Sequence, residues 1–269
     1  MDDPAVTEDT VQDGRVQDER AGRLDRGDGV ELAWAHLPGR SPTVVFLPGF
    51  KSDMDGIKAT TLRDFCAATG QAMLRLDYSG HGRSGGAFTD GTIGRWAEDA
   101  RAVIEHVVGG ERLLLVGSSM GGWIGLLLGR EMPGRLAALV GIAAAPDFTE
   151  TLMWQSMTFE ERARLDRDGH IDVPSEYGEP YRITRGLIED GRRQMVLGGP
   201  IPIGCKVRLL QGQRDADVPW ETALTLAERL ESQDVMVALV KDGDHRLSRL
   251  DDLALLTRVV AALLFQDGA

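Results

Sequence analysis

From residue 29 onward, short apolar runs alternate with longer stretches in which apolar residues recur every three to four positions. Residues 30–37, 43–47, 71–77, 112–116, 136–144, 207–211 and 235–240 read as strands. Residues 60–70, 92–108, 120–132, 220–230 and 249–265 read as helices. In the second of these, Ile93, Trp96, Ala100, Val103, Ile104 and Val107 fall on one helical face. Pro48-Gly49, Gly70 and Pro133-Gly134 stop the elements before them. Several strands are apolar throughout rather than at alternate positions, as a sheet covered on both faces requires. Strands and helices in alternation predict an α/β fold with a mostly parallel sheet.

Two stretches break the rhythm. Residues 148–199 carry Met153, Trp154, Met157, Phe159, Tyr177 and Tyr181 among many charges, with no strong buried strand. They read as a small, mostly helical cap inserted between two parts of one core, residues 26–147 and 200–269. At the carboxyl end of a sheet such an insertion overlies the usual ligand crevice, and its aromatic and Met side chains are expected to line an acyl pocket. Residues 1–25 read as a disordered acidic tail, since the stretch is rich in Asp, Glu, Gln and Arg and poor in large apolar residues.

Composition narrows the function. The net charge of −12 leaves no basic stripe to neutralise phosphates, which excludes a nucleic-acid partner. No run reaches the ~18 apolar residues of a membrane span. The start of the chain has neither the apolar core of a secretion signal nor the acid-poor face of a transit peptide, so a cytoplasmic location is expected. Cys66 and Cys205 stand alone, without metal spacing. A monomer or homodimer is expected, with a small-molecule substrate.

The candidate chemistry begins at a serine. Gly-x-Ser-x-Gly occurs twice, around Ser84 and around Ser119. With 33 glycines in 269 residues the string by itself says little. Ser84 sits in a polar loop that starts no helix. Ser119 follows the apolar run 113–116 and precedes an apolar helix, so it occupies a strand–turn–helix apex, where a hydroxyl is pushed out toward a cleft. A phosphate-binding turn is a poor fit, because no P-loop lysine follows. A serine hydroxyl needs an imidazole to take its proton and an acid to orient that imidazole. His245 follows the last strand, whereas His36, His81, His106 and His170 occupy other settings. Asp215, in Gly212-Gln213-Arg214-Asp215-Ala216-Asp217-Val218-Pro219, lies just past a strand, with Asp217 as its rival. Backbone amides of Met120 and Phe50 are the expected oxyanion donors, and Asp244 reads as a turn residue.

Five strings then carry a family resemblance: Phe46-Leu47-Pro48-Gly49-Phe50-Lys51-Ser52-Asp53-Met54, Asp77-Tyr78-Ser79-Gly80-His81-Gly82-Arg83-Ser84, Gly117-Ser118-Ser119-Met120-Gly121-Gly122-Trp123, the Asp215 string, and Asp244-His245-Arg246. Over residues 29–265 the chain resembles the α/β-hydrolase superfamily. Within it, the chain is similar to the branch of mitochondrial acyl-protein thioesterases, acyl-glucuronide esterases and bacterial carboxylesterases. The resemblance implies an eight-stranded sheet with a helical cap. It also implies a Ser119–His245–Asp215 triad that cleaves carboxylic esters or thioesters through an acyl-serine, with no metal or organic cofactor. C–C bond hydrolysis, peptidase or perhydrolase chemistry, or a non-catalytic binding role, are the alternatives on the same fold. Many relatives carry His-Gly where this chain has Pro48-Gly49, which keeps the oxyanion donor and removes one side-chain contact.

Overall fold

The computed structural model describes residues 18–175 and 178–265, with side chains omitted for 174–180. The chain runs β1 (Arg20–Asp25), β2 (Glu31–Leu37), β3 (Arg40–Leu47), α1 (Ile57–Thr69), β4 (Gln71–Leu76), α2 (Ile93–Val108), β5 (Leu113–Ser118), α3 (Met120–Glu131) and β6 (Leu136–Ile142). After β6 come α4 (Phe159–Asp168), β7 (His170–Ser175), β8 (Gly178–Thr184) and α5 (Arg185–Arg193). The chain closes with β9 (Lys206–Gly212), α6 (Glu221–Arg229), β10 (Val235–Val240) and α7 (Leu250–Phe265). Eight strands form one sheet in the order β1-β2-β4-β3-β5-β6-β9-β10. β1 pairs antiparallel with β2 and β2 antiparallel with β4, and the remaining pairs are parallel.

The apolar runs are buried on both sides, as their continuity requires. Leu113 and Leu115 pack with α2, α3 and α6, whereas Leu114 and Val116 pack with α1 and α7. Trp96 on α2 and Trp123 on α3 are fully buried in the first of these layers. Burial of a side chain of this size stabilises the fold by roughly 2–3 kcal/mol.

Two expectations are corrected. The sequence reads as an acidic tail through residue 25, but Arg20–Asp25 is the edge strand of the sheet. Its only large apolar residue is Leu24. The edge strand is held by backbone pairing to β2, a force that leaves no apolar run in the sequence. Residues 1–17 lie outside the described residues. The segment 148–199 contains α4, α5 and a π-helical turn (Thr149–Trp154), but also the β7–β8 hairpin, in which Ile171 and Ile183 are buried at alternate positions with Val173 and Tyr181. Asp147 anchors both ends of this segment: its carboxylate accepts the Val196 and Leu197 amides at 2.8 and 2.9 Å.

Candidate active site

The parallel strands deliver their carboxyl ends to one edge, and the loops there hold Phe50, Ser119, Asp215 and His245. Ser119 joins β5 to α3 with φ 54° and ψ −117°, a left-handed-side conformation that a residue with a Cβ rarely adopts. Its neighbours must be bare. A Cβ on Gly117 would strike the Gly121 carbonyl, and one on Gly121 would strike the Leu47 carbonyl. The turn is held by bonds from the Ser119 amide to the Ile142 carbonyl (2.9 Å) and from the Ala145 amide to the Ser119 carbonyl (3.1 Å).

His245 follows β10, on a loop stabilised by Asp244, whose carboxylate accepts the Leu247 amide at 3.0 Å. Its Nε2 lies 3.1 Å from Ser119 Oγ and its Nδ1 lies 2.9 Å from Asp215 Oδ2. A carboxylate only accepts, so Nδ1 carries the proton and Nε2 is left to accept from the serine hydroxyl. The Asp215 side chain is fully buried, whereas that of His245 is 21% exposed and opens on the cleft. All four lone-pair directions of Asp215 are used. Oδ1 accepts the Asp217 and Val218 amides at 2.9 and 2.8 Å, and Oδ2 accepts Gln211 Nε2 and His245 Nδ1, both at 2.9 Å. Burial pushes this carboxyl up, but the bonds from His245 and the two amides outweigh it and hold the group below its ordinary value. Asp217, the rival, is exposed and contributes its backbone amide rather than its carboxylate. The donor atoms of Asp215, Asp217 and His245 lie within 4.8 Å of one another, the spacing of a metal site. Here hydrogen bonds already engage both Asp215 oxygens and His245 Nδ1.

Of the two expected oxyanion donors, Met120 follows the serine in the chain and Phe50 lines the same cavity as Ser119. Met120 opens α3 and is fully buried. Gly49 packs against the elbow, where an added Cβ would sit 3.4 Å from the Ser119 Cβ. The ring of Phe50 is gripped edge-to-face by Phe88, Phe148, Tyr181 and Trp96, with centroids 5.0–5.9 Å away. Ser84, the second Gly-x-Ser-x-Gly match, is structural. Its hydroxyl donates to the Asp77 carbonyl at 2.7 Å and accepts the Ala33 amide at 2.8 Å.

A cavity of about 750 Å³ opens beside Ser119 and His245. Its apolar wall includes Phe50, Phe148, Leu152, Met153, Tyr181 and Val218. Of the residues expected there, Met153 and Tyr181 line it. Met157 is buried, Phe159 is 83% exposed, and Trp154 lies beneath the guanidinium groups of Arg162 and Arg192. Tyr177 lies outside the described residues. Lys58 also faces the cavity, and its ammonium donates to the Arg246 carbonyl at 2.6 Å. Burial first, and Arg246 second, push Lys58 down to about 8. Gln211 had no motif to mark it, and its role shows only through contact with Asp215.

Comparisons with known proteins agree with this architecture. The Hydrolase_4 family (serine aminopeptidase, S33) matches residues 40–166. The mouse palmitoyl-protein thioesterase ABHD10, mitochondrial, is 37% identical over 243 residues, covering 90% of this chain and 81% of the relative. A protein from Agrobacterium vitis S4, described as a hydrolase, superposes with a TM-score of 0.86 at 44% identity, over 91% of this chain and 98% of that one. The mouse α/β hydrolase domain-containing protein 10 superposes at 0.84 with 36% identity, over 92% and 99%. These relatives overturn the cytoplasmic expectation, since the curated proteins that match nine-tenths of the chain carry a mitochondrial designation. Among the described residues no helix is long and apolar enough to cross a membrane.

Proposed function

The chain belongs to the α/β-hydrolase family that holds the ABHD10 proteins, and from that premise we propose that it is a serine hydrolase of acyl thioesters and carboxylic esters, with Ser119, His245 and Asp215 as its relay. One observation carries the reading: a single imidazole bridges the serine hydroxyl at 3.1 Å and a fully buried carboxylate at 2.9 Å.

The steps follow from the donors and acceptors present. Neutral His245 accepts the Ser119 proton at Nε2 while the oxygen attacks the acyl carbonyl. The imidazolium is stabilised by Asp215, whose depressed pKa keeps it charged. The Phe50 and Met120 amides receive the oxyanion, and the start of α3 adds the favourable end of a helix dipole. His245 then protonates the departing thiol or alcohol. Water, deprotonated by the same nitrogen, releases the acid from Ser119. The wall of Phe148, Leu152, Met153 and Tyr181 offers an acyl chain an apolar surface, which fits the palmitoyl substrate named for the mouse relative.

The test is covalent labelling with a fluorophosphonate, paired with turnover of nitrophenyl esters, acyl thioesters and matching amides. Labelling and turnover are expected to vanish in Ser119→Ala, with thioesters and esters cleaved far faster than amides. Undiminished turnover in Ser119→Ala would overturn the mechanism. Faster amide cleavage would favour the peptidase reading that the Hydrolase_4 description suggests.

A further inference from the structure

The string Asp77-Tyr78-Ser79-Gly80-His81 takes no part in the relay, yet three of its side chains reach one short loop. Tyr78 Oη donates to the Pro48 carbonyl at 3.2 Å. The Lys51 amide donates to His81 Nε2 at 3.2 Å. The Met54 amide donates to Asp77 Oδ1 at 2.7 Å. All three donors or acceptors on the near side are buried. These pegs fall on the loop that carries the Phe50 amide.

The peptide planes show what the pegs do. The Pro48 carbonyl belongs to the plane joining residues 48 and 49, and the Lys51 amide to the plane joining 50 and 51. Only one plane lies between them, the one that carries the Phe50 N–H. Its carbonyl, that of Gly49, accepts the Ser52 amide at 3.0 Å. In a trans peptide the N–H points opposite to the C=O, so fixing that carbonyl fixes the Phe50 donor. Lys51 itself has φ 57°, an unfavourable conformation that needs an external hold.

We propose that His81 is a positioning residue for the oxyanion-binding loop, accepting the Lys51 amide so that the adjacent Phe50 amide stays aimed at the reacting carbonyl oxygen. This rests on the reading of Phe50 as an oxyanion donor. The ring is suited to the task. Its Nδ1 lies 3.2 Å from the Ser79 carbonyl, which only accepts, so Nδ1 carries the proton and Nε2 is free for Lys51. Tyr78, Phe88 and Trp96 surround it at 5.0–5.6 Å between centroids. Burial among them disfavours the imidazolium, which could not accept an amide.

The test compares His81→Phe, His81→Asn and His81→Gln in the full chain, measuring kcat and KM for a nitrophenyl ester and affinity for an acyl trifluoromethyl ketone, which mimics the tetrahedral adduct. Glutamine places an acceptor oxygen near the position of Nε2, whereas asparagine stops short, near Nδ1. His81→Phe and His81→Asn are expected to lose roughly 30- to 100-fold in kcat, less than the loss of a whole oxyanion donor. KM should change by no more than about twofold, and ketone affinity should fall in step with kcat. His81→Gln should recover to within about fivefold of the parent. His81→Asn, the smaller change, decides the matter if His81→Phe does not fold. Parent-like kcat in His81→Asn, or a glutamine variant no better than asparagine, overturns the proposal. If those results come with an inactive Ser119→Ala, only the role of His81 falls. An active Ser119→Ala overturns both it and the mechanism beneath it.

Discussion

Replacing Asp215 by asparagine tests the relay at its most constrained atom. The oxygen of the new amide stays with the Asp217 and Val218 amides, because turning it away would leave two backbone donors without a partner. The amide nitrogen therefore takes the place of Oδ2, facing Gln211 Nε2 and His245 Nδ1. Gln211 can adapt: its Oε1 is buried with no hydrogen-bond partner among the described residues, and a half-turn of the amide brings it to the new donor at the expense of two long bonds from Nε2 to the Val218 and Gly212 carbonyls (3.4 and 3.5 Å). His245 can adapt only by moving its proton to Nε2, which then points at Ser119 and can no longer accept from it. Stability is thus expected to change by less than about 1 kcal/mol, while kcat falls about 10³- to 10⁴-fold, the scale known for this exchange in a Ser-His-Asp protease. That loss corresponds to roughly 4–5 kcal/mol of transition-state stabilisation. Steady-state ester hydrolysis with denaturant unfolding of both proteins measures the two quantities. An Asp215→Asn enzyme within tenfold of the parent, still fully folded, refutes the tautomer argument.

Gly121→Ala drives a methyl group into the Leu47 and Pro48 backbone. It should cost about 3 kcal/mol by urea unfolding, and a cost under ~1 kcal/mol would contradict the packing of the elbow. Asp252 reaches back to the Arg249 amide at 3.0 Å ahead of α7, and bonds first from the Arg249 side chain hold its carboxyl below the ordinary range. A depressed pKa stabilises the fold above the unfolded carboxyl value of about 3.9 and loses that contribution as pH falls through the folded value. Asp252→Ala is therefore expected to cost about 1 kcal/mol at pH 7, with the gap from the parent closing below pH ~4; a gap that widens in acid would reverse the sign. Lys58 should acylate with acetic anhydride along a curve centred near pH 8, where an exposed lysine is still charged. Peptide mass spectrometry reads this, and a midpoint near the ordinary lysine value of about 10.4 would show that burial does not shift it.

Local burial left a plain record in the chain. Leu113 to Val116 is a strand because its side chains meet apolar layers on both faces, and that requirement is written residue by residue. Val235 to Val240 is as apolar in sequence, yet at the edge of the sheet Met236 and Leu239 stay exposed. The elbow is equally local, since Gly117, Ser119 and Gly121 must follow one another for the turn to form. The order of serine, acid and histidine along strand ends pointed to the three side chains that lie in contact. The edge strand Arg20–Asp25 is a polar piece held through its backbone, to which apolar periodicity is blind. The β7–β8 hairpin instead buries Ile171 and Ile183 beside Val173 and Tyr181, an alternation too short and too flanked by charge to stand out in the sequence.

What the linear order determined, then, is where the chain turns, which faces it buries and where a strained serine sits. Only the folded molecule decided that His245 meets a hydroxyl 126 residues away and a carboxylate 30 residues away. It also decided that Gln211 steadies Asp215, that His81 holds the Lys51 amide, and that Leu152 rather than Trp154 faces the cavity. Periodicity records the environment of each residue along its own element. A hydrogen bond between distant segments depends on the relative placement of whole elements, which packing against the sheet fixes and no short window of sequence contains.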